Sequence, residues 1–360
     1  MPKVRAAVCH AFGKPLVVEE VELRAPGPGE VEVTLAACAI CFSDISYIDG
    51  GWGGTLPAVY GHEAAGHVSA FGAGVSGLAE GDTVLVTLLR SCGTCPACAT
   101  GHPSTCETPY DRDRGPLTTA SGGTLHHGLK TGAFAERVVV HASQTARIPA
   151  DMPLDAASLL SCGVITGVGA VVNTGQVRPG EVVVVIGAGG VGLNAIQGAR
   201  IAGAARIVAV DMTEAKLAAA REFGATDGVL ATDPKPWAQV QKAVGRLADA
   251  VFVTVGAIPA FDTAPRFLAP RGRMVMVGMP HSGAMSTYEP VVIAALAQGM
   301  IGSVMGDTVL QRDIRWMCDL YAQGRLKLDE LISGRWSLEQ INEAIADTRS
   351  GAARRNVIVF

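Results

Sequence analysis

The stretch that decides the fold is VVVVIGAGGVGLNAIQGARIAGAARIVAVD, residues 182–211. It opens with five β-branched residues, which are typical of a strand buried on both faces of a parallel sheet. Gly187, Gly189 and Gly192 then follow in the spacing G-x-G-x-x-G, before a helical run and a second strand. This pattern predicts a dinucleotide site. Gly187 permits a tight turn, Gly189 lets the backbone approach a pyrophosphate, and Gly192 lets helix and strand pack closely.

The cofactor is expected to be NAD. The first helical amides, from Gly190 and Val191 onward, would bind its phosphates. Asp211 ends the second strand, 19 residues after Gly192. A carboxylate at this place accepts hydrogen bonds from the ribose hydroxyls and repels the 2′-phosphate of NADP. Lys216, one turn into the next helix, is a second candidate for the ribose, and a solvated helix face explains it as well.

Length and composition limit the class of protein. A chain of 360 residues suggests about two domains, and 49% hydrophobic against 17% charged residues favours large cores. The net charge of −4 gives no electrostatic footprint for nucleic acid. The N-terminus lacks the apolar core of a secretory signal, and the apolar run 291–306 falls short of a membrane span of about 18 residues. We therefore expect a cytoplasmic protein, in whose reducing environment thiols bind metals or do chemistry.

Four of the nine cysteines lie within residues 92–106 in the pattern C-x2-C-x2-C-x7-C: Cys92, Cys95, Cys98 and Cys106. Nearby glycines and a proline supply tight turns that bring the sulfurs toward one point. Four thiolates suit a tetrahedral zinc ion and leave no open position, so the predicted site is structural. An iron–sulfur cluster also uses four cysteines, and a set of free cysteines is the alternative without a metal.

Further possible ligands are scattered along the chain. Cys41 lies in CFSD after a predicted strand, His62 in GHE, and Cys162 in SCGVITG. Taken singly, each is more simply interpreted as a packed core residue. Together, two thiolates and one imidazole form a ligand set for a zinc site that keeps one position open, as catalytic zinc sites do.

The pattern of the chain changes near its middle. Up to about residue 155 it predicts strands separated by glycines and prolines, and from about residue 180 it predicts alternating buried strands and helices. One of these helices is expected to end at Gly224. Two more helices follow near the C-terminus, the second opened by a capping box of Ser337 and Gln340, and the chain closes with a strand in RNVIVF.

With these motifs in this order, the sequence resembles the zinc-dependent medium-chain dehydrogenases/reductases of the alcohol dehydrogenase family. The resemblance covers essentially the whole chain and includes GHE, the four cysteines, SCGVITG, GAGGVG with its acid, and RRNVIVF. It implies an α/β protein: a β-rich GroES-like catalytic domain from residues 1–163 and 305–360, and a Rossmann domain with a doubly wound parallel sheet at residues 164–304.

The resemblance also assigns roles to individual residues. It implies a catalytic zinc on Cys41, His62 and Cys162, besides the structural zinc, and therefore two zinc ions per chain. It gives the other roles as follows: Asp44 would hold the His62 ring, Glu63 would lie near the zinc, Ser43 would take the alcohol proton, Thr166 would lie by the nicotinamide, and Arg355 would meet the cofactor pyrophosphate.

The implied function is reversible hydride transfer between a small-molecule alcohol and NAD, giving an aldehyde or ketone, in a homodimer or homotetramer. Oxidation of thiol–aldehyde adducts, such as those of glutathione or mycothiol, is the alternative; it would need a basic anion pocket that the sequence does not reveal. A zinc-free enone or quinone reductase would lack both ligand sets. A non-enzymatic protein with the same fold would not need Ser43 together with Cys41, His62 and Cys162, so their joint presence argues against this alternative.

The sequence departs from liver-type members of the family at two positions. Phe42 replaces an arginine that touches the pyrophosphate, and Ser46 replaces the histidine that completes the proton relay. Trp52, Leu88 and the loop around residues 110–134 are expected to line or overhang the substrate pocket. His126 and His127 on that loop have no assigned role, and we expect them to be exposed to solvent.

Overall fold

A computed structural model describes residues 2–110 and 115–360. Their contacts divide the chain into two compact units. The first combines Met1–Cys162 with Val309–Phe360, and the second is Gly163–Thr308. The division made from the sequence put these boundaries after residues 163 and 304. The prediction of mixed α/β structure with a parallel sheet is confirmed.

Strands and longer helices are numbered along the chain. The strands are β1 Lys3–Cys9, β2 Val17–Leu23, β3 Glu30–Ala39, β4 Ala58–Val59, β5 Glu63–Phe71, β6 Thr83–Val86, β7 Leu117–Thr119, β8 His126–His127, β9 Arg137–His141, β10 Thr145–Arg147, β11 Val182–Ile186, β12 Arg206–Asp211, β13 Asp227–Leu230, β14 Ala248–Val253, β15 Leu268–Met276, β16 Gly299–Gly302, β17 Ile332–Trp336 and β18 Arg355–Val359. The α-helices are α1 Phe42–Ile48, α2 Pro96–Ala99, α3 Leu154–Ser158, α4 Gly163–Gly169, α5 Gly190–Ile201, α6 Glu214–Phe223, α7 Pro236–Val244, α8 Ile258–Thr263, α9 Pro290–Ala295, α10 Leu310–Ala322 and α11 Ile341–Arg349.

The first unit is built on two sheets. One has the order β7-β2-β1-β4-β8, and the other the order β10-β6-β5-β3-β18-β17, with β9 also paired to β3. The strand β3 lies between β5 and β18, so the C-terminal strand is part of the same sheet as the N-terminal strands. The inward-facing side chains of these strands form one core, with Phe134, Leu117 and Leu125 fully buried in it.

The second unit has a six-stranded parallel sheet in the order β13-β12-β11-β14-β15-β16. This is the strand order 3-2-1-4-5-6 of doubly wound dinucleotide-binding folds, in which ligands bind where the order reverses. Here the reversal lies between β11 and β14, and β11 ends at Ile186, directly before the glycine motif. The central strand β11 is a continuous apolar run of five buried residues, as expected of a parallel strand that is covered on both faces.

The three glycines of the motif lie in different steric environments. Gly187 has φ +98°, and a Cβ atom there would lie 2.4 Å from the Val255 Cγ1 atom. At Gly192 a Cβ atom would lie 1.8 Å from the carbonyl oxygen of Gly187, so the start of α5 packs on the turn without room for a side chain. At Gly189, the N-cap of α5, a Cβ atom would meet no atom within 4 Å.

Two predicted helix termini are confirmed. The helix α6 ends at Gly224, which adopts φ +116° in the left-handed region that glycine enters without strain. Ser337 and Gln340 form the predicted capping box, at a short 3-10 turn that leads into α11. Among the residues described, no individual helix is long and apolar enough to cross a membrane, and a bent pair, Leu154–Ser161 with Gly163–Thr174, reaches that length only together.

We predict that Gly192→Ser lowers the thermal unfolding midpoint by about 5 °C or more, because its side chain would overlap the turn at Gly187. Gly189→Ser is the matched control: it adds the same atoms where a Cβ meets open space, at an N-cap position that serine favours. Thermal denaturation of both variants tests this. Equal midpoints for the two variants would contradict the packing argument.

Candidate active site

Four potential ligands converge in the first unit. Cys41, His62, Glu63 and Cys162 each offer one ligand atom, and these atoms lie within 4.8 Å of one another. Cys41 caps the start of α1 directly after β3, and His62 directly precedes β5, which pairs with β3. Cys162 follows the 3-10 turn Leu159–Ser161. The two cysteines are 6% exposed and the other two residues are fully buried.

The buried Asp44 carboxylate orients this cluster. One of its oxygens, Oδ1, accepts hydrogen bonds from the Gly61 amide at 3.0 Å and lies 2.9 Å from His62 Nδ1. The other, Oδ2, accepts a hydrogen bond from the Cys41 amide at 3.0 Å. With Nδ1 donating to Asp44, His62 keeps the lone pair of Nε2 for another partner. The predicted role of Asp44 in holding the histidine ring therefore has direct geometric support.

The chemistry of the donor atoms fits a zinc ion. His62 Nε2 is buried and has no hydrogen-bond partner among the described residues, as expected of a nitrogen whose lone pair is directed at a metal ion. A hydrogen bond from the Cys162 thiol lowers the pKa of Cys41 well below its ordinary value. One thiolate is thus favoured even before a cation is considered. Two sulfurs and one imidazole nitrogen are a ligand set of zinc sites that bind a substrate.

Glu63 and Arg355 form a buried ion pair beside these ligands. Burial raises the pKa of Glu63 to about 7, although the positive charge of Arg355 opposes the rise. The guanidinium is 7% exposed. Arg355 was expected at the cofactor pyrophosphate. The structure shows it instead at the Glu63 carboxylate, and a phosphate contact stays a prediction.

The Glu63–Arg355 pair was not predicted from the sequence. Its members are 292 positions apart, and no local motif connects them. The sheet register explains the contact, because Ala39 at the end of β3 pairs with Glu63 in β5 on one side and with Val357 in β18 on the other. The C-terminal strand thus brings a cation to the end of β3, where Cys41 begins the next helix.

The first turns of α1 carry the residues expected to move a proton. Ser43 is the second residue of α1 and is partly buried, and Ser46 lies one turn later and is also partly buried. Phe42, at the position of the missing arginine, is 58% exposed. Ser43 is therefore two residues from the potential ligand Cys41, and the role of its hydroxyl in proton transfer stays a prediction.

An apolar cavity of about 220 Å³ lies in the first unit. Leu88 lines it, as do the aromatic rings of Tyr47 in α1 and Tyr60, which stack with their centroids 5.9 Å apart. Trp52 packs edge-on against Tyr47 with ring centroids 5.3 Å apart. Trp52 thus packs behind Tyr47, which lines the cavity, whereas Leu88 lines the cavity directly.

The expectation that His127 is exposed is wrong. His127 is 4% exposed, and its Nδ1 atom lies 2.8 Å from the Tyr110 hydroxyl. Burial lowers the pKa of His127 to about 4, so the ring is neutral at pH 7. The cause is tertiary: the two-residue strand β8 adds to β4 at the edge of the first sheet and draws this part of the loop inward. Residues 111–114 of the same loop lie outside the described residues.

The four-cysteine motif forms a second cluster. Cys92, Cys95, Cys98 and Cys106 bring their sulfurs within 4.8 Å of one another. The Cys95 amide donates to the Cys92 sulfur at 3.2 Å, and the Glu107 amide donates to the Cys95 sulfur at 3.5 Å. A hydrogen bond from Thr108 and the nearby amides lower the pKa of Cys92 to about 5. Amide donors around sulfur favour thiolates, so this cluster fits a closed four-sulfur metal site.

The predicted cofactor residues lie in the second unit. The Asp211 carboxylate accepts hydrogen bonds from the Ala188 amide at 2.6 Å and the Met212 amide at 2.7 Å, so the acid lies directly at the glycine turn. Lys216 is partly buried in the first turn of α6. Thr166 in α4 is 8% exposed, and its hydroxyl donates to the Met305 sulfur at 3.6 Å. Contacts of these residues with a nucleotide stay predictions.

We predict that Asp44→Asn lowers zinc affinity at the Cys41 cluster by about 10- to 100-fold. The side chain of asparagine has one acceptor oxygen. It therefore cannot accept a hydrogen bond from the Cys41 backbone amide on one side and also accept from the Gly61 amide and His62 Nδ1 on the other. Asp49→Asn is the matched control, because Asp49 lies just after the same helix and pairs only with the exposed Arg349 among the described residues. Zinc content after dialysis against a chelator measures the effect. Equal retention in the two variants would show that Asp44 does not hold the ligand ring.

Comparisons with known proteins agree with this geometry. The family profile of the alcohol dehydrogenase GroES-like domain matches residues 27–150, and that of the zinc-binding dehydrogenases matches residues 190–323. The chain is 35% identical to an NDMA-dependent alcohol dehydrogenase of Amycolatopsis methanolica, over 99% of each chain.

Two solved structures have the same fold over the whole chain. An alcohol dehydrogenase zinc-binding domain protein from Burkholderia ambifaria superposes with a TM-score of 0.96 at 34% identity, covering 100% of this chain and 99% of that one. A benzyl alcohol dehydrogenase from Acinetobacter calcoaceticus superposes with a TM-score of 0.94 at 27% identity, covering 100% of both. The chain therefore belongs to the alcohol dehydrogenase family of zinc-type medium-chain dehydrogenases/reductases.

Proposed function

We propose that this oxidoreductase of alcohols uses NAD⁺ and a catalytic zinc ion to convert an alcohol reversibly to an aldehyde or ketone. The observation that carries the proposal is the convergence of Cys41, His62 and Cys162 on one buried point, with His62 Nε2 lacking a partner among the described residues. A structural site would close its fourth position with another cysteine or histidine, as the four-cysteine cluster can. Here the fourth potential donor is Glu63, which is already paired with Arg355.

The proposed mechanism assigns separate tasks to the protein groups. When bound, zinc supplies a Lewis acid that makes an alcohol more acidic, and NAD⁺ supplies the hydride acceptor. Asp44 keeps the His62 ring oriented and its Nδ1 proton in place. Ser43 accepts the proton of the alcohol hydroxyl and passes it outward. Burial of the cluster excludes water, which strengthens every electrostatic interaction in it.

The preference for NAD⁺ rests on Asp211. Its carboxylate is held at the glycine turn by hydrogen bonds from the Ala188 and Met212 amides, which fix its position. A 2′-phosphate brought near this carboxylate would meet a like charge. NDMA is a second candidate for the acceptor, because a relative at 35% identity is an NDMA-dependent alcohol dehydrogenase.

The experiment is a panel of primary, secondary and benzylic alcohols, assayed with the zinc-loaded protein for formation of NADH. We expect NAD⁺ to exceed NADP⁺ in kcat/KM by about tenfold or more, and Asp211→Asn to narrow the gap because it removes the charge. Parallel arms add NDMA, glutathione or mycothiol. If the protein turns over alcohols with NAD⁺ only when NDMA is present, NDMA and not NAD⁺ is the exchangeable acceptor. If the protein turns over formaldehyde only in the presence of a thiol, the adduct reaction is favoured.

We predict that Ser43→Ala lowers kcat for alcohol oxidation by about 100-fold, the loss typical of a positioned proton carrier. Zinc content should not change, because the hydroxyl is not a ligand. Ser46→Ala is the matched control, one turn further along α1 and partly buried like Ser43. The pH profile of kcat for the three proteins is the measurement. Near-normal activity of Ser43→Ala across the profile would show that the proton leaves by another route.

A further inference from the structure

A second cavity of the first unit, of about 310 Å³, has an unusual lining. Among the described residues, its wall contains five potential cations and one acid: Arg24, Arg90, His127, Lys130, His141 and Glu30. Arg24 follows β2, Glu30 begins β3 and His141 ends β9, whereas Arg90 precedes the four-cysteine cluster and His127 and Lys130 belong to β8 and the 3-10 turn after it. The ligand cluster of Cys41 contributes no residue to this wall.

The acid in this cavity is neutralised within the wall. Glu30 accepts two hydrogen bonds from the Arg24 guanidinium, at 2.6 and 2.9 Å, and one from the Gly27 amide at 2.8 Å. This is the bidentate geometry in which arginine binds a carboxylate most strongly. The Arg24–Glu30 pair therefore adds no net charge to the cavity.

Arg90 provides a positive charge that the described residues do not neutralise. The Cζ atom of its guanidinium lies over the Tyr110 ring, 5.6 Å from the centroid, and the group donates to the Pro109 carbonyl at 3.4 Å. Among the described residues it forms no ion pair. A guanidinium has five N–H donors, so most of them stay available to a ligand. A guanidinium that already contacts an aromatic ring has less conformational freedom to lose on binding.

His141 adds a neutral donor to the same wall. The Ser143 amide donates to its Nδ1 atom at 3.2 Å, so in the neutral ring the proton lies on Nε2. Burial, together with the charge of Arg90, lowers the pKa of His141 and favours this neutral form. The Nε2–H group makes no hydrogen bond to the described part of the chain.

We propose that this cavity binds a small oxyanion, namely the carboxylate or phosphate group of a soluble metabolite, through Arg90, Lys130 and His141. Planar guanidinium forks and ammonium groups are the donors that proteins use for these anions. The volume is at the lower end of the range for small-molecule sites, so the ligand is of the size of a short dicarboxylate or a small phosphate ester.

The cavity also borders the apolar one. His127 and Lys130 line both cavities. Between them the chain makes a 3-10 turn in which Leu129 and Lys130 have φ +52° and +60°. Non-glycine residues in this region are strained, and such strain concentrates at ligand sites. An oxyanion contacting Lys130 would thus touch the turn that also forms the wall beside Leu88.

The test is isothermal titration calorimetry of the full-length, zinc-loaded protein at low, constant ionic strength. Sodium phosphate and sodium succinate are titrated in separate arms, which distinguish a phosphate site from a carboxylate site. We expect saturable binding of at least one anion by the wild type. Arg90→Gln should weaken it by about tenfold or more, the loss of one charge-assisted contact.

Two further variants keep the result interpretable. Lys130→Gln removes a second cation at a position 24 residues after Cys106, the last cysteine of the four-cysteine cluster, and should also weaken binding. This variant guards against misfolding of Arg90→Gln. Lys242→Gln removes the same charge from the exposed face of α7 in the second unit and should bind like the wild type. No binding by the wild type, or equal binding by all variants, would overturn the proposal, since the anion would then have no site or another one, such as the zinc cluster. Alcohol oxidation is not read out, so failure here leaves the proposed function untouched.

Discussion

The candidate active site depends on one carboxylate. Asp44 is fully buried and accepts hydrogen bonds from the Cys41 amide and the Gly61 amide while it contacts His62 Nδ1. It thus joins the end of β3, the turn before β5 and the side chain of a potential ligand. A buried carboxylate is costly unless it is fully hydrogen-bonded, so these three segments are held together by the need to solvate one charge.

The strand β3 sets where the other charges lie. Its end at Ala39 pairs with Glu63 and with Val357, so the acid beside His62 and the C-terminal strand that carries Arg355 meet at the same place. Burial raises the pKa of Glu63, whereas the positive charge of Arg355 lowers it and favours the charged form. The cluster therefore combines two sulfurs, one imidazole and a neutralised acid–base pair in a buried site, and zinc binding would add its positive charge to this balance.

Much of the protein could be predicted because the informative contacts are local. The glycine turn is a short-range steric requirement: Gly192 faces the carbonyl of Gly187 five residues earlier. The four cysteines lie within one turn-rich segment, so their spacing alone brings the sulfurs together. The capping box and the left-handed Gly224 are likewise set by neighbours in the chain. Cys41, His62 and Cys162 are distant in sequence; their residue types suggested an open zinc site, but only the resemblance to a family assigned them to a catalytic zinc.

The sequence by itself thus determined the fold class, the nucleotide turn and the four-cysteine cluster, since each depends on residues a few positions apart. Tertiary structure alone decided that Arg355 contacts Glu63, that the polar His127 is buried, and that Arg24, Arg90 and His141 line one cavity. These contacts depend on strand register and on which edge of a sheet a short strand joins. Register is selected by the packing of a whole face, and no local pattern of residues records it.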